Sequence, residues 1–178
     1  MSEVVTGPLA ITGHLLSAGH RRIVFLGGLP GNTALDARVA GYRAALAEYG
    51  LPEDAARVVD CGLGRSAGLR AMTELLRRER KFTAVVAGDD MVAAVALRAI
   101  ADAGLRVPED ISVVGYNDIP PAEDFDPPLT AVRTPAEELG RAAVRFALRD
   151  SEETAGARHL LATRIVVRGS VAPVERPS

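Results

Sequence analysis

The stretch from Thr83 to Ala122 constrains the fold of this 178-residue chain more than any other. It begins with a short apolar run, TAVVA, and passes through Gly88-Asp89-Asp90 into a segment of helical character that ends at Gly104. A turn then leads to a second β-branched run, ISVVGY, which is followed by Asn117-Asp118. Strand, helix and strand in this order predict a parallel pair. Both polar groups then lie at the edge where open parallel sheets bind ligands.

The rest of the chain repeats this alternation of strand and helix. Short apolar runs predict further strands at residues 22–26, 56–61, 129–132 and 162–168. Apolar residues at helical spacing predict helices at residues 7–18, 35–49, 91–103 and 135–149, and another that Ser66 precedes as its N-cap. The pattern is typical of the α/β class, and 178 residues suffice for one well-buried domain or for two small ones that share strands.

Charge and cysteine content exclude several classes of function. A formal net charge of −2 gives the chain, by itself, no electrostatic reason to hold nucleic acid. The single cysteine, Cys61, cannot form an internal disulfide and lies in an apolar run, which predicts a buried thiol in a reducing compartment. The first residues do not read as a secretory leader, and no apolar run approaches the length of a membrane span. We therefore expect a cytoplasmic protein.

Three motifs suggest other chemistry. The glycine-rich loop Gly27–Asn32 lacks the lysine and hydroxyl residue of a phosphate-binding loop and does not fit GxGxxG, so we expect no cofactor. Clustered acids at strand ends, Asp89, Asp90 and Asp118, are typical of a Mg²⁺-dependent phosphoryl site. The only lysine, Lys81, precedes its strand and is not placed to neutralise a phosphoryl group.

The third motif is GRSAG at residues 64–68, which matches the nucleophile elbow GxSxG of hydrolases. With Asp89 or Asp118 and then His159, it also follows the chain order of that fold's catalytic residues. The elbow requires its serine directly at the strand-to-helix turn, whereas the preceding strand is predicted to end at Cys61. A Ser66-dependent hydrolase is kept as an alternative, and the expectation is that the chain is not an enzyme.

Four segments, in order, resemble the effector-binding domain of LacI/GalR transcription regulators: GHLLSAGHRRIVFLGG, ARVAGYRAAL, the stretch from Thr83 to Pro135, and RIVVRGS. The resemblance implies an α/β, parallel-sheet sandwich of periplasmic-binding-protein-like type I. Residues 1–21 and 130–160 would be remnants of the N-terminal subdomain, residues 22–129 and 161–172 the C-terminal effector-binding subdomain, and residues 173–178 a tail. The helices near 7–18 and 136–149 would then need cover from a partner chain or from this chain.

The resemblance also implies a ligand site. Arg38 matches the family's ligand-contacting arginine, Asp89 stands where asparagine is most frequent, and Asn117 stands where an aspartate is most frequent. Leu63 occupies a position where some members place an aromatic that lines the pocket. Arginine supplies donors, a carboxylate acceptors and an amide both, so the three polar residues suit the hydroxyls of a sugar or of a nucleoside's ribose.

The function implied is the effector-sensing and dimerisation portion of a LacI/GalR-type regulator, a repressor. Its partners would be a sugar or nucleoside-like effector, a second copy of the chain, and operator DNA only through a helix-turn-helix headpiece that this N-terminally truncated chain lacks. One face of the apolar helix at 91–103 is the candidate dimer contact. With one side of the cleft, the chain alone is predicted to bind effector weakly or not at all. A solute-binding protein of a sugar transporter is the alternative.

Overall fold

The computed structural model describes residues 3–52, 57–62, 64–79, 81–148 and 160–174. Helices and strands alternate through them. In chain order the elements are α1 (Glu3–Ser17), β1 (Ile23–Gly28), α2 (Thr33–Glu48), β2 (Val58–Asp60), α3 (Arg65–Arg78), β3 (Ala84–Ala87), α4 (Asp90–Asp102), β4 (Ser112–Asn117), a 3-10 turn (Pro120–Glu123), β5 (Thr130–Arg133), α5 (Ala136–Ala147) and β6 (Arg164–Val166).

The strands form one sheet in the order β2-β1-β3-β4-β5-β6. Strands β1 to β5 pair in parallel, with Val24 beside Val85 and Val86 beside Val114, whereas β6 runs antiparallel to β5. The predicted strand, helix and strand unit is present as β3, α4 and β4. The predicted α/β class with a parallel sheet is therefore confirmed.

Helices cover both faces of this sheet. On one face α1 and α2 bury Leu15, Phe25 and Tyr42, and on the other α3 and α4 bury Met72 and Ile100. Because both faces are covered, β1 and β3 are buried along their whole length and have no polar face. This arrangement leaves the ends of the strands as the place where polar side chains can meet.

The two outer helices differ in their cover. In α1, Ile11, Leu15 and Leu16 are at most 1% exposed, because they pack on α2 and the sheet. In α5, Leu139 is 59% and Val144 58% exposed. The first helix therefore finds its cover on this chain, and within the described residues α5 does not. The predicted subdomain boundaries stay a prediction.

The prediction for Ser66 is wrong. The N-cap of α3 is Gly64, whose φ of +92° lies in the left-handed region that glycine adopts freely, and Ser66 is the exposed second residue of the helix.

Strands β2 and β6 are shorter than predicted. Residues 149–159, which include the polar stretch 150–158 and His159, lie outside the described residues, as do residues 175–178 of the tail. Within the described part of the chain, no helix combines the length and apolar character needed to cross a bilayer.

Candidate ligand-binding site

Three of the predicted site residues meet at the carboxyl edge of the sheet. Asp89 follows β3 and caps α4, with its Oδ1 accepting the backbone N–H of Val92 at 2.8 Å. Asn117 is the last residue of β4, the strand beside β3. Arg38 lies in the second turn of α2 and reaches across to both strand ends.

The contacts of Arg38 define the centre of the site. Its Nη1 donates to the carbonyl oxygen of Gly88 at 2.5 Å, and its Nη2 donates to Asn117 Oδ1 at 3.5 Å, the long limit of a hydrogen bond. Its guanidinium carbon lies 4.0 Å from the ring centroid of Tyr116, within the range of a cation–π interaction. Arg38 is therefore fixed by a carbonyl, an amide and an aromatic face.

The positively charged guanidinium of Arg38 is half-buried. Burial lowers the pKa of its guanidinium, and the nearby Tyr116, Asp89 and Asp90 act in the opposite direction. Because arginine stays protonated in proteins, the side chain keeps a full positive charge with reduced hydration. Hydrogen bonds from such a donor are stronger than hydrogen bonds between neutral groups.

Tyr116 is the residue of this site that the sequence predictions missed. It is 6% exposed and shares a core with Tyr42 and Val114 on the face covered by α2. The signal was present in the alternation of β4, because Val114 and Tyr116 lie on the same face of a strand. The pattern could not predict that Tyr116 contacts Arg38, because the two residues are 78 positions apart in the chain.

The turn after β4 is held by a buried ion-pair cluster. Asn117 and Asp118 have φ values of +105° and +58°, a region that asparagine and aspartate enter more readily than most residues. The Asp118 side chain is 1% exposed and pairs with Arg168 at 2.7 Å and with Arg133. Burial acts to raise the pKa of Asp118, but the hydrogen bonds from Arg168 and Arg133 outweigh it and lower this pKa. Asp118 is therefore ionised and fully engaged.

Asp90 is a second buried carboxylate behind the site. Its side chain is 1% exposed, its Oδ2 accepts the backbone N–H of Ile119 at 2.8 Å, and its Oδ1 has no hydrogen-bond partner among the described residues. Burial raises the pKa of Asp90 to about 6, opposed by the hydrogen bond from Ile119 and assisted by the negative charge of Asp118. Asp90 therefore titrates close to neutral pH.

Leu63, the fourth predicted site residue, lies outside the described residues. A cavity of about 270 Å³ is lined by Asp89 and by the residues that flank position 63 in the chain. Leu35, Cys61, Val92 and Val95 also line it. The thiol of Cys61 is buried, as predicted, and burial raises its pKa. The edge thus offers a polar group at Arg38 and an apolar recess beside Asp89.

The geometry argues against the two alternatives with other chemistry. Both oxygens of Asp118 are taken by arginines and Asp89 caps a helix, so these acids do not converge as free Mg²⁺ ligands. Within the described ranges no group of three or more His, Cys, Asp or Glu side chains is arranged to hold a metal. Ser66 lies inside α3, and β2 ends at Asp60, so the serine does not stand at a strand-to-helix turn.

Comparison with known proteins identifies the family to which this fold is similar. Residues 12–171 match the family described as "Periplasmic binding protein-like domain". The chain is 38% identical over 168 residues to the HTH-type transcriptional regulator CelR of Thermobifida fusca, covering 93% of this chain and 49% of CelR. It is 35% identical over 171 residues to the ribose operon repressor of Escherichia coli K12, covering 95% and 52%. The chain spans about half the length of the curated relatives it matches.

Solved structures agree with these relatives. A complex of the transcriptional regulator CelR with cellobiose has a TM-score of 0.85 and 36% identity, covering 95% of this chain and 52% of that one. A LacI family transcriptional regulator from Enterococcus faecium with bound ribose has a TM-score of 0.87 and 29% identity, covering 98% and 65%. The predicted sandwich is thus confirmed as periplasmic-binding-protein-like. This chain belongs to the periplasmic binding protein-like domain family, in the form found in LacI-family transcriptional regulators.

Proposed function

We propose that this chain is the effector-binding portion of a LacI-type transcription regulator, a repressor, and that it binds a sugar or a nucleoside-like molecule at the carboxyl edge of its sheet. The observation that carries the proposal is the position of Arg38, a half-buried cation that bonds Gly88 and Asn117 and lies beside Asp89. Relatives whose structures contain cellobiose or ribose support the ligand class.

The donors and acceptors of the site match a polyhydroxylated ligand. A sugar hydroxyl both donates and accepts, and Arg38 offers donors, Asp89 acceptors and Asn117 both. Asp89 uses Oδ1 to cap α4, and its second oxygen is the candidate acceptor for a ligand hydroxyl. The Arg38–Asn117 bond is long, so a ligand hydroxyl can replace it at small cost.

In the whole regulator, effector binding would act on DNA through a change in domain arrangement. A ligand shifts such an equilibrium only by its difference in affinity between the two states, typically worth about 1–3 kcal/mol. Cytoplasmic location and operator binding belong to this proposal and are supported by the transcriptional-regulator relatives.

A second copy of the chain is the proposed protein partner. On α4, Met91 is 47% exposed, and Arg98 pairs with Asp102 at 2.8 Å on the outer strip of the same helix. The inner face of α4 is buried on the sheet, so the outer strip is the part of this helix that can contact a second copy of the chain. Sedimentation equilibrium at micromolar concentration should give twice the mass of the 18.7 kDa chain, and a monomeric mass contradicts the dimer.

The ligand proposal is tested by NMR titration of the 178-residue chain with ribose, cellobiose and adenosine, up to tens of millimolar. We expect weak binding by at least one of them, with amide shifts grouped at residues 38, 88–90 and 117–119. Arg38→Ala should abolish the shifts. The matched control is Arg77→Ala, which removes an exposed arginine paired with Glu74 on α3 and should leave the titration unchanged. Equal shifts in Arg38→Ala and the parent chain contradict the proposed site.

A further inference from the structure

We propose that Asp90 is a positioning residue for this site: its carboxylate holds the turn that presents Asn117, and its protonation sets how tightly ligand is bound. The ligand part of this inference rests on the proposed function. The positioning part does not, because it concerns contacts within the chain.

The contact that carries the proposal joins α4 to the turn after β4. Asp90 Oδ2 accepts the backbone N–H of Ile119, two residues beyond Asn117, at 2.8 Å. Asn117 and Asp118 both have positive φ, so the turn between them needs support from outside. Asp118 is held by its ion pairs with two arginines, and Asp90 binds the backbone of the next residue, Ile119. Asn117 is thereby aimed at Arg38.

The packing around Asp90 confines its carboxylate against β4. Its Oδ1 is pressed against Gly115 of β4, where an added Cβ would overlap both that oxygen and the side chain of Leu129. The same Oδ1 is buried and unpartnered in the described structure. A side chain so confined directs its hydrogen bonding to the backbone of the turn, at Ile119 and at Asp118.

The charged groups that face Asp90 come from several elements. They are Asp89 on α4, Asp118 in the turn with its partners Arg133 on β5 and Arg168 after β6, and Arg38 on α2. Arg133 and Arg168 pair with Asp118, and among the described residues no arginine forms an ion pair with Asp90. Burial and the neighbouring carboxylates place its pKa at about 6, so the group changes charge between pH 5 and pH 7.

The charge of Asp90 determines how strongly its carboxyl group binds the turn after β4. An ionised carboxylate accepts a hydrogen bond roughly twice as strong as that of a neutral group, and it also attracts Arg38. Below pH 6 the protonated acid binds the N–H of Ile119 more weakly and no longer attracts Arg38. We therefore expect ligand affinity to fall several-fold between pH 7.5 and pH 5.

The first experiment needs no ligand. The amide proton shift of Ile119 is followed by NMR from pH 5 to pH 7.5 in the full chain. It should titrate with a midpoint near 6 and lose its titration in Asp90→Asn, which keeps the shape of the side chain but cannot ionise. Asp102→Asn, at an exposed position on the same helix, should titrate like the parent chain. An Ile119 amide that does not titrate between pH 5 and 7 overturns the inference.

The second experiment adds ribose and cellobiose. The Kd should rise several-fold from pH 7.5 to pH 5 in the parent chain, and Asp90→Asn should bind at pH 7.5 as weakly as the parent chain at pH 5, without pH dependence. A pH profile retained in Asp90→Asn overturns the inference. If Ile119 titrates as expected but ribose, cellobiose and adenosine all fail to bind the parent chain, the positioning by Asp90 is supported and the proposed ligand class is contradicted.

Discussion

The guanidinium of Arg38 lies over the ring of Tyr116, with 4.0 Å between the guanidinium carbon and the ring centroid. The helix α2 supplies the cation and β4 supplies the ring, so this contact joins the helical layer to the sheet edge. Asn117, next to the ring in sequence, accepts from the same guanidinium.

A double-mutant cycle measures this contact. Arg38→Met keeps an unbranched apolar stem and removes the charged guanidinium, and Tyr116→Leu removes the ring. We expect a coupling energy of about 0.5–2 kcal/mol in the free energy of unfolding, because the cation is partly desolvated. Tyr116→Phe keeps the ring and should keep the coupling. A coupling near zero in the cycle would show that the two side chains are neighbours without an energetic interaction.

Asp118 is predicted to matter more for stability than an exposed carboxylate. Asp118→Ala leaves Arg168, whose side chain is 14% exposed, without a carboxylate and with only the carbonyl oxygen of Leu129 to bind, and we expect a loss of about 3 kcal/mol. The control is Glu74→Ala, whose ion pair with Arg77 is largely exposed and should cost less than about 1 kcal/mol. Urea denaturation measures both. Equal losses would mean that the buried pair adds nothing over a surface pair.

His20 gives a pH dependence that can be assigned to one residue. It is 3% exposed, its Nδ1 lies 2.9 Å from Thr83 Oγ1 and its Nε2 lies 3.1 Å from the carbonyl oxygen of Ala172. Burial lowers its pKa from 6.5, opposed by the hydrogen bond with Ala172. Below pH 6.5 the unfolded chain binds more protons than the folded chain, so stability falls as the pH is lowered through this range.

The measurement compares the parent chain with His20→Gln by urea denaturation at pH 7.5, 6.5 and 5.5. Glutamine can bond both partners and does not titrate. We expect the parent chain to lose stability relative to His20→Gln as the pH falls. A difference that stays constant over this range would show that His20 is not held neutral in the folded state.

Two leucines test the burial pattern at the far end of the chain. Leu129 is fully buried under the sheet, and Leu148, just beyond α5, is 83% exposed. We expect Leu129→Ala to cost about 2–5 kcal/mol and Leu148→Ala to change the free energy of unfolding by less than about 0.5 kcal/mol. A large loss in Leu148→Ala would mean that α5 has cover that the described residues do not include.

The parts of this structure that could be predicted from sequence are those that depend on local pattern. The β-branched runs and the apolar spacing of α4 identify β3, α4 and β4, and a parallel pair puts Asp89 and Asn117 at one edge. Gly64 shows where pattern failed: its backbone conformation, and not the capping ability of Ser66, decides where α3 begins. Leu63 lies outside the described residues, so its role stays a prediction.

Contacts between distant residues could not be predicted in this way. Nothing in a local window shows that Asp118 meets Arg168, 50 positions away, or that Asp90 is buried beneath Ile119. These contacts depend on the order of the strands, which brings β4, β5 and the segment after β6 together. The roles of Asp90 and Asp118 in the turn are therefore visible only once the sheet is assembled.

A crystal structure of this chain soaked with ribose or cellobiose tests the central claim most directly. We predict electron density for the sugar at the carboxyl edge of the sheet, with its hydroxyls in hydrogen-bond contact with Arg38, Asp89 and Asn117. Sugar found instead in the groove between β2 and α3, which is lined by Val58, Asp60, Leu75 and Arg78, would contradict the assignment of this site. Density at the edge that does not touch Arg38 would contradict it as well.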